Sequence, residues 1–299
     1  NTIFRNANVY DGEGNEFSEI DLLIKDGKII AMGSDLPGSS EFLEVNATGK
    51  WITPGIIDIH SHMGVYSAPS VTTSSDGNES TSPVTADVWA EHSIWVQDPQ
   101  FALALKGGVT AFHVLPGSAN LIGGRGVTAK NLQRNTINSM KFPDAPHSLK
   151  MACGENPKRV YGNRSQAPST RMGNIAGYRK SWIRAEAYLS RLDEYEAKSD
   201  DAKELGYKPQ RDLELDTLAG VLRGEILIQN HCYRAEEMAM MIDIAKEFNY
   251  KITTFHHAVE AYKIADLLAD NNICAAMWAD WWGFKHEAYD MVQANVAIV

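Results

Sequence analysis

From Pro54 onward the 299-residue chain alternates short apolar runs of β type with amphipathic helical runs, and this alternation constrains the fold most. The runs over residues 55–60, 108–115, 149–153, 226–230, 251–255 and 273–277 predict strands. Between them "DPQFALALKGG", "RDLELDTLAGVLRGE", "AEEMAMMIDIAKEFN" and "AVEAYKIADLLADNN" predict helices. In the last, Ala261, Ile264, Ala265 and Leu268 recur at helical spacing. Repeated strand-then-helix units predict a parallel sheet with helices outside it. More than five such units over 245 residues (299 − 54) favour a closed α/β barrel of TIM type, (β/α)8, over an open doubly wound sheet.

The first 53 residues read differently. "TIFRNANVYDG", "DLLIKDGKIIAMG" and "FLEVNATGKWI" predict short strands, two of them joined by the Asp26-Gly27 turn. Residues 1–53 are therefore expected to form a small β-element, and residues 54–299 the barrel. Two segments exceed ordinary barrel loops. Residues 64–92 are a Ser/Thr-rich excursion, and residues 156–212 are charged and helical, clearest in "RAEAYLSRLDEYEAKSDDAKEL". Long excursions at the C-terminal ends of barrel strands commonly wall an active site. The Gly-rich "GSANLIGGRG", residues 117–126, lacks the Lys and Ser/Thr of a phosphate loop and reads as a loop closing over a site.

A formal net charge of −10 and a pI near 5.4 argue against nucleic acid or an anionic membrane surface as partner. No apolar run approaches the roughly 18 residues that span a bilayer. The chain begins at Asn1 and leaves two compartments open, cytoplasmic or exported after signal removal. The expected partner is a small molecule, with room left for a homo-oligomer. Cys153, Cys232 and Cys274 are widely spaced and odd in number, so they are read as small buried hydrophobes rather than a disulfide framework.

Nine histidines occur, and four stand where an apolar strand runs out: His60 and His62 in "TPGIIDIHSH", His231 in "EILIQNHC" and His257 in "YKITTFHHA". On a strand, Asp58, His60 and His62 share one face while Ile57 and Ile59 share the other. Glu155 ends a further run, "LKMACGE". A barrel gathers such strand ends at one mouth, and imidazoles with a carboxylate suit Zn²⁺, Mn²⁺ or Fe²⁺ in an open, catalytic site. His256 should face away from His257 and pack; His113 lies within the second strand and could meet substrate. Arg159, Tyr161, Tyr233 and Arg234 follow the site residues closely and are candidate contacts for a substrate carboxylate. The tryptophans of "WADWWGF" are read as a hydrophobic plug or the wall of an apolar pocket.

"TPGIIDIHSH" closely resembles the first-strand signature of the amidohydrolase superfamily, a Pro-Gly-x-x-Asp-x-His-x-His run that opens a metal-binding barrel. "GVTAFHVLPG" resembles its second strand, and the β-rich start ending in "GKWITPG" resembles half of its accessory β-sandwich. The resemblance covers essentially the whole chain and is nearest to imidazolonepropionase-like and Xaa-Pro dipeptidase-like hydrolases. It implies one or two divalent ions, most plausibly Zn²⁺. His60 and His62 would hold one, His231 and His257 a second, and Glu155 would bridge; Glu155, His231 and His257 around a single ion is the variant. Many members bridge two ions with a carboxylated lysine. Lys150, five residues before Glu155, is expected to sit too deep for that role.

The implied reaction is hydrolysis of a C–N bond in a small amide, a dipeptide or a cyclic amide, by metal-activated hydroxide. A deaminase of the same superfamily is the alternative, weakened because Arg234 stands where such enzymes carry a glutamate; a non-catalytic scaffold is the third reading. The resemblance also implies an eighth strand bearing a catalytic aspartate. No such strand is read before Val299, so the aspartate and the remainder of the barrel are expected in a further segment of the same polypeptide or in a second chain.

Overall fold

The computed structural model describes residues 1–299, the side chain of Leu205 excepted. Two compact units are delimited, Asn1–Ile56 and Ile57–Val299.

The first unit is a five-stranded mixed sheet. Strands β1 (Thr2–Tyr10), β2 (Glu16–Lys25) and β3 (Lys28–Gly33) form an antiparallel meander, and β4 (Leu43–Asn46) and β5 (Trp51–Ile52) run parallel to β1. Asp26 and Gly27 both adopt positive φ, as the tight turn between β2 and β3 requires. Ile3, Ala7 and Val9 of β1 are buried. A second sandwich layer is not seen among the described residues.

The second sheet has seven strands in sequence order: β6 (Ile56–Ser61), β7 (Val109–Val114), β8 (Ile122–Lys130), β9 (Ser148–Ala152), β10 (Leu227–Cys232), β11 (Ile252–His257) and β12 (Cys274–Met277). It curls, because His60 of β6 meets His256 of β11 across the interior at 2.9 Å. The arrangement is a nearly closed barrel sheet. All six strands expected from the sequence occur within two residues of their predicted limits. The seventh, β8, corrects two expectations. Residues 122–126 lie in a strand rather than a covering loop, and β8 runs antiparallel to both β7 and β9, interrupting the expected parallel order. The glycines that made this stretch look loop-like permit close approach: a Cβ on Gly126 would collide with Ser148, Leu115 and His113.

Eight α-helices accompany the sheet: α1 (Pro99–Lys106), α2 (Glu155–Gly162), α3 (Arg171–Glu196), α4 (Asp200–Leu205), α5 (Leu213–Leu222), α6 (Ala235–Glu247), α7 (Ala265–Asp270) and α8 (Asn295–Ile298). Asp98, Thr170 and Asp212 cap α1, α3 and α5 by accepting from backbone N–H groups of the first turn. Along α3 the buried Asn174, Tyr178, Ser181, Trp182, Ala185 and Tyr188 share one face. That face, with α5, α6 and the outer residues of β9–β11, builds the main apolar core. A smaller core of Phe101, Phe112, Val114 and Met140 lies beneath the excursion after β6.

The cysteines differ from expectation. Cys153 and Cys232 form a disulfide, and Cys274 is free and exposed. Pairing of β9 with β10 sets Ala152 beside His231, so the next residues, Cys153 and Cys232, fall side by side although 79 positions apart in the chain.

Candidate active site

One cavity of about 390 Å³ opens among the C-terminal ends of these strands, and the strand-end histidines line it. His60 comes from the end of β6 and His62 from just beyond it, while His231 comes from β10 and His257 from the last position of β11. Ring centroids lie 5.0 Å apart for His60–His62 and His60–His257, and 4.3 Å apart for His231–His257.

The hydrogen bonds fix how these rings face. The Nε2–H of His256 donates to Gln229 Oε1 at 2.7 Å, which leaves His256 Nδ1 as an acceptor. His60 Nδ1–H donates to it at 2.9 Å, so His60 Nε2 is a lone pair. His62 Nδ1–H donates to the Leu115 carbonyl at 2.8 Å, so its Nε2 is also a lone pair. The two lone pairs confront each other at 3.3 Å with no proton between them. Such a pair is stabilised by a cation and by little else; donation from the opposite ring nitrogen is the usual way to orient a ligating imidazole. Sequence reading assigned His256 to packing. It is buried, as packing requires, and it also bonds His60, a contact visible only once β11 is set across from β6.

Burial pushes all these imidazoles toward the neutral form that a metal requires. His62 falls to about 4 and His256 to about 2, each through desolvation first and the charge of Lys150 second. His60, His231 and His257 are driven well down, again mainly by burial. The Nδ1 atoms of His231 and His257 are buried without a protein partner.

Lys150 requires a correction. It lies mid-strand in β9, yet its side chain lines the same cavity, is 1% exposed, and leaves its Nζ without any hydrogen-bond partner. Burial lowers its pKa to about 7. Its Cα is deep, as expected, but a four-carbon stem carries the amine into the cavity. An unpaired buried ammonium is costly, so this amine is poised to be neutral or modified.

Glu155 also lines the cavity, but as the first residue of α2 rather than at a strand end, since β9 stops at Ala152. Asn156 and Arg159 of the same helix join it, and Asn156 Nδ2 lies 3.4 Å from His231 Nε2. Tyr233, Trp281 and Phe284 form an aromatic wall; Tyr233 and Trp281 stack on His257 at 5.0 and 4.8 Å. Lys285 completes that side, its Nζ 3.9 Å from the Tyr233 ring centre.

Three candidate residues lie outside the cavity lining. His113 bonds Ser148 Oγ at 2.7 Å, and burial lowers its pKa to about 4. Tyr161 donates to the Ser82 carbonyl at 2.6 Å and accepts from Asn120 at 3.0 Å. Arg234 is held by Glu260 at 2.8 Å and Asp290 at 2.5 Å.

Among the described residues no group of three or more His, Cys, Asp or Glu side chains is arranged to hold a metal ion as it stands. The donor types are those a metal takes all the same: imidazoles driven toward the neutral form, orphaned ring nitrogens and two converging lone pairs. A second cavity of about 400 Å³, bounded by Asp76, Trp89 and Pro116, holds no such convergence.

No protein-family model matches the chain. It is 33% identical over 291 residues to amidohydrolase tasK of Hapsidospora irregularis, covering 90% of this chain and 29% of that protein. Over 63 residues it is 36% identical to a dihydroorotase of Ligilactobacillus salivarius, covering 20% of this chain and 14% of that one. It superimposes on the crystal structure of an amidohydrolase from Thermotoga maritima MSB8 with a TM-score of 0.90 and 34% identity, covering 100% of this chain and 75% of that one. The chain thus spans less than a third of the curated relative matched along most of its length.

Proposed function

The chain belongs to the amidohydrolase superfamily, and from that premise we propose that it is a metal-dependent hydrolase cleaving the C–N bond of a small amide. The observation that carries this reading is the confrontation of the His60 and His62 lone pairs beside the unpaired amine of Lys150. His60, His62, His231 and His257 would hold one or two divalent ions, with Zn²⁺ suited to such imidazoles. Once bound, the ion would supply Lewis acidity and acidified water at neutral pH.

The chain's own residues do the rest. Gln229 and His256 hold His60 in the tautomer that offers Nε2, and the Leu115 carbonyl does the same for His62. Burial lowers the Lys150 pKa to about 7 and so favours its neutral amine. A neutral amine attacks CO2 to give a carbamate and releases one proton, placing an anion among the histidines where the structure has a buried unpaired nitrogen. Lys150 would therefore join Glu155 as a candidate ligand. Arg159 offers a guanidinium for a substrate carboxylate, while Trp281 and Phe284 offer an apolar face. A dipeptide or a cyclic amide carrying a carboxylate fits both walls, in keeping with the resemblance to imidazolonepropionase-like and dipeptidase-like hydrolases.

The test is a screen of dipeptides, lactams and hydantoins with metal-loaded protein, before and after chelation. Chelator-sensitive hydrolysis is expected in one of these classes, read as a new amino group from a dipeptide or lactam or as an N-carbamoyl carboxylate from a hydantoin. Equal inertness of all three in the full-length enzyme with verified metal content would overturn the proposal.

A further inference from the structure

The proposed chemistry leaves unexplained why residues 281–291, after β12, fold against the start of α2. Gly154, at φ +81, connects Cys153 to that helix. Three ties from three different elements converge on this turn. Cys153 is bonded to Cys232 of β10. The Gly154 carbonyl accepts from Asn174 Nδ2 of α3 at 3.0 Å. The Glu155 N–H donates to Glu287 Oε1 at 2.6 Å.

That N–H belongs to the first residue of the helix and has no intrahelical acceptor. Gly154 has no side chain to supply one, and a Cβ there would overlap the Glu287 carboxylate. The acceptor comes instead from 132 residues downstream. Glu287 is 3% exposed, so its charge needs a nearby partner, and Lys285 Nζ stands 3.0 Å away. Lys285 in turn reaches Asn156 Oδ1 at 3.2 Å and Glu155 Oε1 at 3.6 Å.

We infer that Glu287 and Lys285 are positioning residues: together they clamp the first turn of α2 and fix where Glu155, Asn156 and Arg159 stand in the cavity. A local Ser or Asp would have satisfied one N–H. The remote buried pair does more, because the same segment carries Trp281 and Phe284. One clamp therefore holds the polar wall and the aromatic wall in a fixed relation. Its consequence for substrate rests on the hydrolase reading; the clamp itself does not.

Hydrogen exchange on the full chain tests it directly. In Glu287→Ala, amides of residues 155–162 should exchange about tenfold faster or more, the loss of one buried hydrogen bond to a charged acceptor. Peptides from β9, β10 and β11 should be unchanged. Glu287→Gln keeps a carbonyl acceptor and should restore most of the protection. Unchanged exchange over 155–162 in Glu287→Ala, or an equal rise across the sheet, would overturn the clamp. Should that variant not fold, Glu287→Asp, whose carboxylate stops one methylene short of the Glu155 N–H, should give a smaller rise confined to the same residues; its absence would overturn the clamp equally. In steady-state assays of a cleaved dipeptide, Lys285→Met should raise KM more than it lowers kcat, whereas the reverse split would contradict positioning. A metal-loaded full-length enzyme inert to all substrates would refute the hydrolase reading and leave the exchange result standing.

Discussion

The floor and the rim of the cavity are built on different principles. The floor consists of His60, Lys150, His231 and His257 on β6, β9, β10 and β11, with His62 directly after β6; strand register places them, and burial lowers the pKa of each. The rim consists of α2, anchored at its start by the Cys153–Cys232 disulfide and the Asn174 amide, and of residues 281–291, joined to it by Glu287 and Lys285. A floor made of sheet positions is rigid and suited to ligating an ion, whereas a rim made of tethered loops can vary and suits substrate choice. Substitutions in the two regions should therefore fail in different ways.

The largest effect is expected at the floor. His60→Ala removes one of two converging lone pairs and should cost several kcal/mol of transition-state stabilisation, about a thousandfold or more in kcat/KM. Circular dichroism of that variant should remain like wild type. Loss of turnover through unfolding would erase the distinction between floor and rim.

The next effect falls on the rim as stability. Replacing Cys153 and Cys232 by serine opens a link spanning 79 residues and should lower unfolding free energy by about 2–4 kcal/mol. Denaturant titration reads this directly. Metal content should stay unchanged, so a parallel loss of metal would show the disulfide to be part of the floor.

What was legible in the sequence follows the same division. The His-x-His run, the strand ends at His231 and His257, and the barrel-type alternation are local patterns, and each is found in place. Arg159 and Tyr233 also line the cavity. The Cys153–Cys232 bond, the reach of Lys150 and the Glu287 contact depend on which strands and loops become neighbours, which no local spacing encodes. Strand β8 was hidden because glycines needed for close packing look like loop residues. Arg234 and Tyr161 lie outside the cavity lining and bond Glu260 and Ser82, because closeness in sequence to a site residue does not aim a side chain.

A third effect sharpens the floor. Gln229→Leu leaves His256 free to present either nitrogen to His60, and metal affinity should drop about 10–100-fold. Competition with a chromophoric chelator measures it; unchanged affinity would show that the tautomer of His60 is fixed by something else. The smallest effect lies at the rim. Arg159→Met should raise KM about tenfold for a substrate bearing a carboxylate, the worth of one charge-assisted hydrogen bond, and leave KM for its carboxamide analogue nearly unchanged. Equal shifts for both would remove Arg159 from substrate recognition.

The central claim, that His60, His62, His231, His257 and Lys150 form one metal-holding floor, is tested most directly by inductively coupled plasma mass spectrometry. Wild type, His60→Ala, Lys150→Met and the rim variant Arg159→Met would be purified identically without chelator. The account predicts one or two equivalents of a divalent ion, zinc foremost, in wild type and Arg159→Met, and a substoichiometric amount in the two floor variants. Full metal content in His60→Ala and Lys150→Met, or none in wild type after supplementation with zinc and bicarbonate, would contradict it.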